Sequence, residues 1–216
     1  MSSRDRILQR LKNAQAATPV SPSPLAFAAT ETRLKPAEYK SEFVQNLVDN
    51  HAEVIEISSQ DLASTVQTLL ADKQLERCLI GQNVEAAELN KALPQLEVYE
   101  QALDKEVLFQ QVNAGICWAQ YGLAETGSLM LETSVQQPRT LSLVPPVNIV
   151  VVRESDLLAD FNQLVGSEYW QQKMAGETKP TNLLLVSGPS KTADIQQTLA
   201  FGAHGPKELV VILISE

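Results

Sequence analysis

The sequence predicts an α/β fold in which an open, mainly parallel sheet carries helices on both faces. From Pro36 onward, short apolar runs alternate with amphipathic segments at the spacing of β-α-β units. Residues 209–214 form a continuous apolar run, which is typical of a strand buried on both faces. A chain of 216 residues is long enough for one well-cored domain of this kind, or for a domain with a small appendage.

The first 35 residues differ from the rest of the chain. Ile7, Leu8 and Leu11 recur at helical spacing among charged residues, which predicts a short amphipathic helix over residues 3–14. Residues 16–29 are rich in Ala, Pro and Ser and predict an extended linker. We therefore divide the chain into an arm, residues 1–35, and an α/β domain, residues 36–216. The linker has little apolar content, so we expect the arm to be ordered only against another chain.

Periodicity and turn residues predict the elements of the domain in order. In the first half they predict helices over 37–49, 59–70, 84–92 and 104–112, and strands over 54–57, 77–80 and 96–99. The run 115–132 predicts two strands joined by a turn at Glu125-Thr126-Gly127. Further strands are predicted over 140–144, 148–152, 182–186 and 209–214, and further helices over 155–165, 167–175 and 192–199.

Composition excludes several classes of function. The formal charge of −9, from 17 Lys and Arg against 26 Asp and Glu, argues against a nucleic-acid partner, which needs clustered cations. The absence of a long apolar run predicts no membrane span, and the first residues lack the apolar core of a signal peptide, so we expect a cytoplasmic protein. Cys78 and Cys117 have no metal-ligand spacing. We expect two buried thiols, no metal site and no cofactor bound by this chain.

Residues 187–192, Ser-Gly-Pro-Ser-Lys-Thr, stand between a predicted strand and a predicted helix. Hydroxyls and backbone N–H groups at such a turn can bind an anion beyond the end of the strand, and Lys191 adds positive charge. The spacing matches neither a P-loop nor a nucleophile elbow. The alternative is that Ser190 or Thr192 only caps the helix.

Residues 202–206, Gly-Ala-His-Gly-Pro, form a second glycine turn. His204 there is a candidate general acid or base, because its usual pKa lies near neutrality. The alternative is a histidine that holds the turn through hydrogen bonds to the backbone.

Two further candidates precede these turns. Glu125 stands between apolar strand segments, and Gly127 lets a ligand or another backbone approach closely. The alternative is a turn glutamate that points into solvent. Arg139 follows a polar turn and precedes a predicted strand. It would clamp a carboxylate or phosphate if it faced the glycine turns, and is otherwise solvated.

Together these segments resemble the LUD domain family, in particular its lactate-utilisation members. The resemblance rests on Leu-Ala-Glu-Thr-Gly-Ser-Leu-Met-Leu at 123–131, on Arg139 with Leu-Val-Pro-Pro-Val-Asn-Ile-Val-Val at 143–151, and on Ser-Gly-Pro-Ser-Lys-Thr-Ala-Asp-Ile at 187–195 with 202–206. It implies the fold shared with ribose-5-phosphate isomerase, glucosamine-6-phosphate deaminase and CoA transferases, with a ligand site at the carboxyl ends of the strands. CoA transferases of that superfamily use a glutamate on a Glu-x-Gly turn, which Glu125-Thr126-Gly127 resembles.

The resemblance also implies a cytoplasmic subunit of an L-lactate-oxidising complex, whose partner subunits carry the iron–sulfur clusters. This chain would offer a site for a small carboxylate or anionic ligand, or for a partner. One alternative is a stand-alone enzyme acting on a phosphorylated or CoA-linked small molecule; a second is a structural scaffold. The candidate catalytic residues are Glu125 and His204, and the candidate ligand-binding residues are Glu125, Thr126, Gly127, Arg139, Ser187, Gly188, Ser190, Thr192 and Gly205.

The direction of the predicted strands bears on whether these residues converge. The strands that end near Leu123 and Val186 both run directly into a candidate turn. Carboxyl ends of parallel strands share one edge of a sheet, so we expect one site beyond that edge.

Overall fold

The computed structural model of the protein describes residues 3–17, 34–100, 103–176, 179–180, 182–193, 199–202 and 204–215. Its helices are α1 (Ser3–Ala17), α2 (Tyr39–Asp49), α3 (Leu62–Asp72), α4 (Val84–Ala92), α5 (Lys105–Gln110), α6 (Arg139–Leu143), α7 (Phe161–Gly166) and α8 (Glu168–Ala175). Its strands are β1 (Glu53–Ser58), β2 (Cys78–Ile80), β3 (Glu97–Val98), β4 (Ala114–Trp118), β5 (Tyr121–Leu123), β6 (Ser128–Glu132), β7 (Val147–Arg153), β8 (Leu157–Leu158), β9 (Leu183–Val186), β10 (Lys191–Ala193), β11 (Leu199–Phe201) and β12 (Glu208–Ser215).

The chain forms two compact units, residues 1–31 and 32–216. In the first unit the predicted N-terminal helix is confirmed as α1, on which Ile7 and Leu8 are exposed. The predicted linker beyond residue 17 lies outside the described residues. Within the part of the chain that the structure describes, no helix combines the length and the apolar character needed to cross a membrane.

The second unit is built on a sheet of six parallel strands in the order β1-β12-β7-β4-β2-β3, which confirms the predicted open, mainly parallel sheet. Its central strands β7 and β12 are almost wholly buried. Near-continuous runs of Val, Ile and Leu favour such strands because both of their faces are covered. Helices α3 and α4 cover one face of this main sheet through residues such as Val66, Leu70 and Leu89.

A second sheet and α2 cover the other face of the main sheet. Phe43 and Leu47 of α2 and Leu129 and Leu131 of β6 share one core with Val150 of β7. The second sheet has the order β8-β5-β6-β9, in which β6 runs antiparallel to both of its neighbours. Helices α7 and α8 pack on its far side. The expectation that residues 182–186 join the parallel sheet is wrong, because β9 pairs with β6.

The helix predicted over residues 192–199 is wrong at both of its described ends, which lie in strands. β10 and β11 pair as antiparallel strands, and residues 194–198 between them lie outside the described residues. The backbone bonds of Ser190 explain the difference, because its N–H donates to the Pro206 carbonyl and its carbonyl accepts from the Gly202 N–H, at 2.9 Å each. The chain therefore enters β10 extended, and neither Ser190 nor Thr192 stands at the start of a helix.

The strand predicted over residues 140–144 is a short helix, α6. Pro138 precedes it in an extended conformation, as is usual for a helix N-cap position. The turn of α6 lies directly on β4, because an ideal Cβ built on Gly115 would be 2.0 Å from the Leu141 carbonyl oxygen. Arg139 is the first residue of this helix.

Candidate functional site

Two of the predicted turns meet at one cavity of about 390 Å³. Its walls come from the end of α2, the end of α6, the starts of β7 and β12, the end of β9 and both glycine turns. The lining residues are Asn50, Ser142, Leu143, Asn148, Leu185, Val186, Ser187, Gly188, Pro189, Ser190, Lys191, His204, Gly205, Pro206 and Leu209. A volume of this order suits a small ligand.

Backbone hydrogen bonds fix the two turns to each other. Ser190 is bonded through both its N–H and its carbonyl to residues of the second turn, Pro206 and Gly202. An ideal Cβ on Gly205 would lie 3.2 Å from the Ser190 Cβ, so glycine permits this close approach. The two turns thus form one wall of the cavity.

The end of α2 contacts both the 187–192 turn and the turn around Glu125. An ideal Cβ on Gly188 would lie 2.7 Å from the Asn50 carbonyl oxygen, and one on Gly127 would lie 2.8 Å from the Leu47 nitrogen. Asn46 Nδ2 donates to the carbonyl of Glu125 at 3.2 Å. Of the two interpretations of Gly127, the structure supports the approach of another backbone, because α2 fills the space beside it.

The cavity brings together five of the predicted residues, namely Ser187, Gly188, Ser190, His204 and Gly205. Within the described part of the chain, its lining does not include Glu125, Thr126, Gly127 or Arg139. Glu125, Thr126 and Arg139 are exposed, and Gly127 is buried. Thr192 is described only as part of the β10 backbone.

The strand directions correctly predict that the two turns leave the same edge of a sheet. They do not predict where the cavity lies in the main sheet. Leu123 pairs with Ser128, and Val186 pairs with Leu129, so the Glu125 turn and the 187–192 turn do leave the same edge of the second sheet. The cavity, however, lies at the amino ends of β7 and β12, near Asn148 and Leu209. The expectation of a site at the carboxyl ends of the parallel strands is therefore wrong for this cavity.

Sequence reasoning missed three polar residues of the cavity, Asn50, Asn148 and Ser142. Asn148 is 1% exposed, and among the described residues neither of its amide atoms has a hydrogen-bond partner. Ser142 is 3% exposed, and its hydroxyl donates to the Arg139 carbonyl at 3.1 Å. The sequence feature that could have identified Asn148 is a single amide side chain within a predicted apolar strand.

The described lining residues supply hydroxyls, the side-chain amides of Asn50 and Asn148, the Lys191 ammonium and the His204 imidazole, a set suited to binding a small anion or polar molecule. Lys191 and His204 are both exposed. The described residues contain no group of three or more His, Cys, Asp or Glu that could hold a metal ion.

Neither cysteine is among the described residues that line the cavity. Both are buried, as predicted, on opposite faces of the main sheet. Burial raises the pKa of Cys78 to about 12 and also raises that of Cys117. Since the thiolate is the reactive form, neither side chain is suited to act as a nucleophile.

Comparison with known proteins places these features in a family. The LUD domain model matches residues 40–214. The chain is 48% identical over 118 residues to an uncharacterized protein of Neisseria meningitidis, covering 54% of this chain and 49% of that protein. It is 35% identical over 108 residues to lactate utilization protein C of Bacillus subtilis, covering 50% of this chain and 44% of that protein. The chain thus spans about half the length of these curated relatives.

A solved structure supports the fold. A DUF162 family protein from Deinococcus radiodurans aligns with a TM-score of 0.62 at 22% identity, covering 84% of this chain and 99% of that one. The α/β fold class and the resemblance described from the sequence are confirmed.

Proposed function

Because this chain belongs to the LUD domain family, we propose that it serves L-lactate utilisation by binding a small carboxylate ligand in the cavity. The observation that carries the proposal is that the residues matched by the family model, 40–214, include every residue that lines the cavity. The Bacillus subtilis relative supplies the link to lactate through its name, lactate utilization protein C.

The electrostatics of the cavity favour an anion in a chain that is otherwise acidic. The protein carries a net charge of −9, yet the cavity presents the cation Lys191 and, among the lining residues that the structure describes, no Asp or Glu. A local cation raises the concentration of a small anion at the cavity mouth. The hydroxyls of Ser187 and Ser190 add hydrogen-bond donors of the kind that orient a carboxylate.

We further propose that the chain acts in the cytoplasm as one subunit of an L-lactate-oxidising complex. The iron–sulfur clusters of such a complex would be held by its partner subunits. Cys78 and Cys117 support this division of labour, because they are buried on opposite faces of the main sheet and cannot ligate one cluster together.

Deleting the gene in a strain with no other L-lactate dehydrogenase is expected to abolish growth on L-lactate and to leave growth on succinate unchanged. Complementation with the wild-type gene should restore growth. Lys191→Glu should restore it poorly, because it reverses the charge at the cavity. Lys105→Glu is the matched control, since Lys105 is also exposed, at the start of α5, and is not among the described lining residues. Normal growth of the deletion strain on L-lactate would rule the proposal out.

Complex membership has a separate test. A tagged full-length chain purified gently from lactate-grown cells is expected to bring with it proteins that contain iron and acid-labile sulfide. The same chain purified after expression in a host without the partners should contain neither. Recovery of the chain alone from lactate-grown cells, with no iron, would contradict the proposed complex while leaving a role in lactate utilisation open to the growth test.

A further inference from the structure

The most unusual residue of the cavity is Asn148, the second residue of β7. Val150 and Val152 stand on the same face of that strand and pack in the core beneath α2 and the second sheet. Across the sheet, Asn148 pairs with Gly115 of β4 on one side and with Leu209 of β12 on the other. The amide therefore occupies a position that an apolar side chain would fill elsewhere in this layer.

Nothing among the described neighbours satisfies this amide. Neither Oδ1 nor Nδ2 has a hydrogen-bond partner among the described residues, although both atoms are buried. The nearby hydroxyl of Ser142 already donates to the Arg139 carbonyl. A buried polar group left without a partner costs about 1–3 kcal/mol, so an apolar residue here would favour the ligand-free fold. A group that destabilises the empty protein is expected where a ligand supplies its partners.

The chemistry of an amide specifies what that ligand must offer. Nδ2 donates hydrogen bonds and Oδ1 accepts them, so full satisfaction needs an acceptor and a donor side by side. A 2-hydroxy acid has both, since its carboxylate accepts from Nδ2 and its hydroxyl donates to Oδ1. A 2-oxo acid has only acceptors and would leave Oδ1 facing another oxygen. Asn148 is one of the residues that line the cavity, so a ligand bound there lies beside this amide.

We propose that the Asn148 amide makes this cavity selective for 2-hydroxy acids over the corresponding 2-oxo acids. The inference rests on the proposed function and adds a specificity-determining residue to it. In chemical terms, the chain holds the reduced acid, the form that an oxidation consumes, and releases the oxidised one.

Calorimetric titration of the full-length chain with L-lactate and with pyruvate tests the inference. Wild type is expected to bind L-lactate at least about tenfold more tightly than pyruvate, the equivalent of one well-made hydrogen bond. Asn148→Leu preserves the shape of the side chain and should bring that ratio close to one, with unchanged or increased thermal stability. Asn162→Leu is the matched control, because Asn162 is exposed on α7, and it should keep the wild-type ratio.

Three results would overturn the inference. They are equal binding of the two acids by wild type, retention of the preference by Asn148→Leu, and failure of wild type to bind either acid. The proposed function fails separately, on normal growth of the deletion strain, whatever the titrations give. A chain that is needed for growth but shows no preference would therefore lose only the role assigned to Asn148.

Discussion

Gly115→Ala is expected to lower the free energy of unfolding of the α/β domain by about 3 kcal/mol or more. The added Cβ would lie 2.0 Å from the Leu141 carbonyl oxygen and 3.1 Å from its carbonyl carbon. Both atoms belong to the backbone of α6, so no side-chain rotation relieves the contact, and α6 must move away from β4. For a chain of this size, a loss of 3 kcal/mol corresponds to a fall in Tm of roughly 6–12 °C. Urea unfolding followed by circular dichroism measures the effect.

Gly166→Ala is the matched control for that experiment. Nothing lies within 4 Å of an ideal Cβ at Gly166, the last residue of α7. An alanine there is expected to change stability by less than about 1 kcal/mol, with a small gain because it restricts the unfolded chain. If the two alanine variants unfold at the same urea concentration, then α6 does not pack directly on β4. In that case Ser142 and Leu143 of α6 do not form a wall of the cavity.

The strands of the main sheet illustrate what the sequence can predict. Residues 149–152 and 209–214 are runs of Val, Ile and Leu, which are typical of strands buried on both faces, and they lie in β7 and β12. Residues 183–186 are equally apolar, yet they form β9 at an edge of the second sheet, where Leu185 is exposed. Composition predicts that a segment is a strand. It does not predict which strand will be its partner.

Two of the wrongly predicted elements have tertiary causes. Residues 190–194 carry side chains that suit a helix start, but the bonds of Ser190 to the second glycine turn direct the chain into β10. Residues 140–144 are apolar enough for a strand, but Gly115 leaves room on β4 for one turn of helix. In both cases the deciding contact lies far away in sequence.

The candidate site was predicted in part. Two neighbouring glycine turns with hydroxyls and a histidine did converge on one cavity. The turn around Glu125 leaves the same sheet edge but contacts the end of α2, a contact that no local pattern reveals. Asn148 was overlooked because a single amide in a strand gives no indication of whether its partners are present.

Gln137→Glu is expected to destabilise the domain by about 3 kcal/mol at neutral pH, although it changes only one atom. The side chain is 6% exposed, and its Oε1 accepts from the Trp118 N–H at 2.7 Å. Its Nε2 donates to the Trp118 carbonyl at 2.9 Å, so the amide completes the end of β4 as another strand would. A carboxylate keeps the first bond but turns the second into a repulsion between oxygens. Its position beside Pro138 indicates only a polar turn, so local sequence does not predict this role.

The loss of stability caused by Gln137→Glu should increase as the pH rises. Burial raises the pKa of the carboxyl introduced at position 137 above the value of about 4.3 that it has in the unfolded chain. The folded variant then binds more protons than the unfolded one, so its stability relative to wild type falls as the pH rises. The full loss is present above the folded pKa and disappears as the pH approaches about 4, where the protonated carboxyl can donate to the Trp118 carbonyl. Gln136→Glu places the same charge on the exposed neighbour and should show neither effect. A loss for Gln137→Glu that stays constant between pH 4.5 and 8 would mean that the carboxyl reaches solvent, and that Gln137 does not close β4 through its amide.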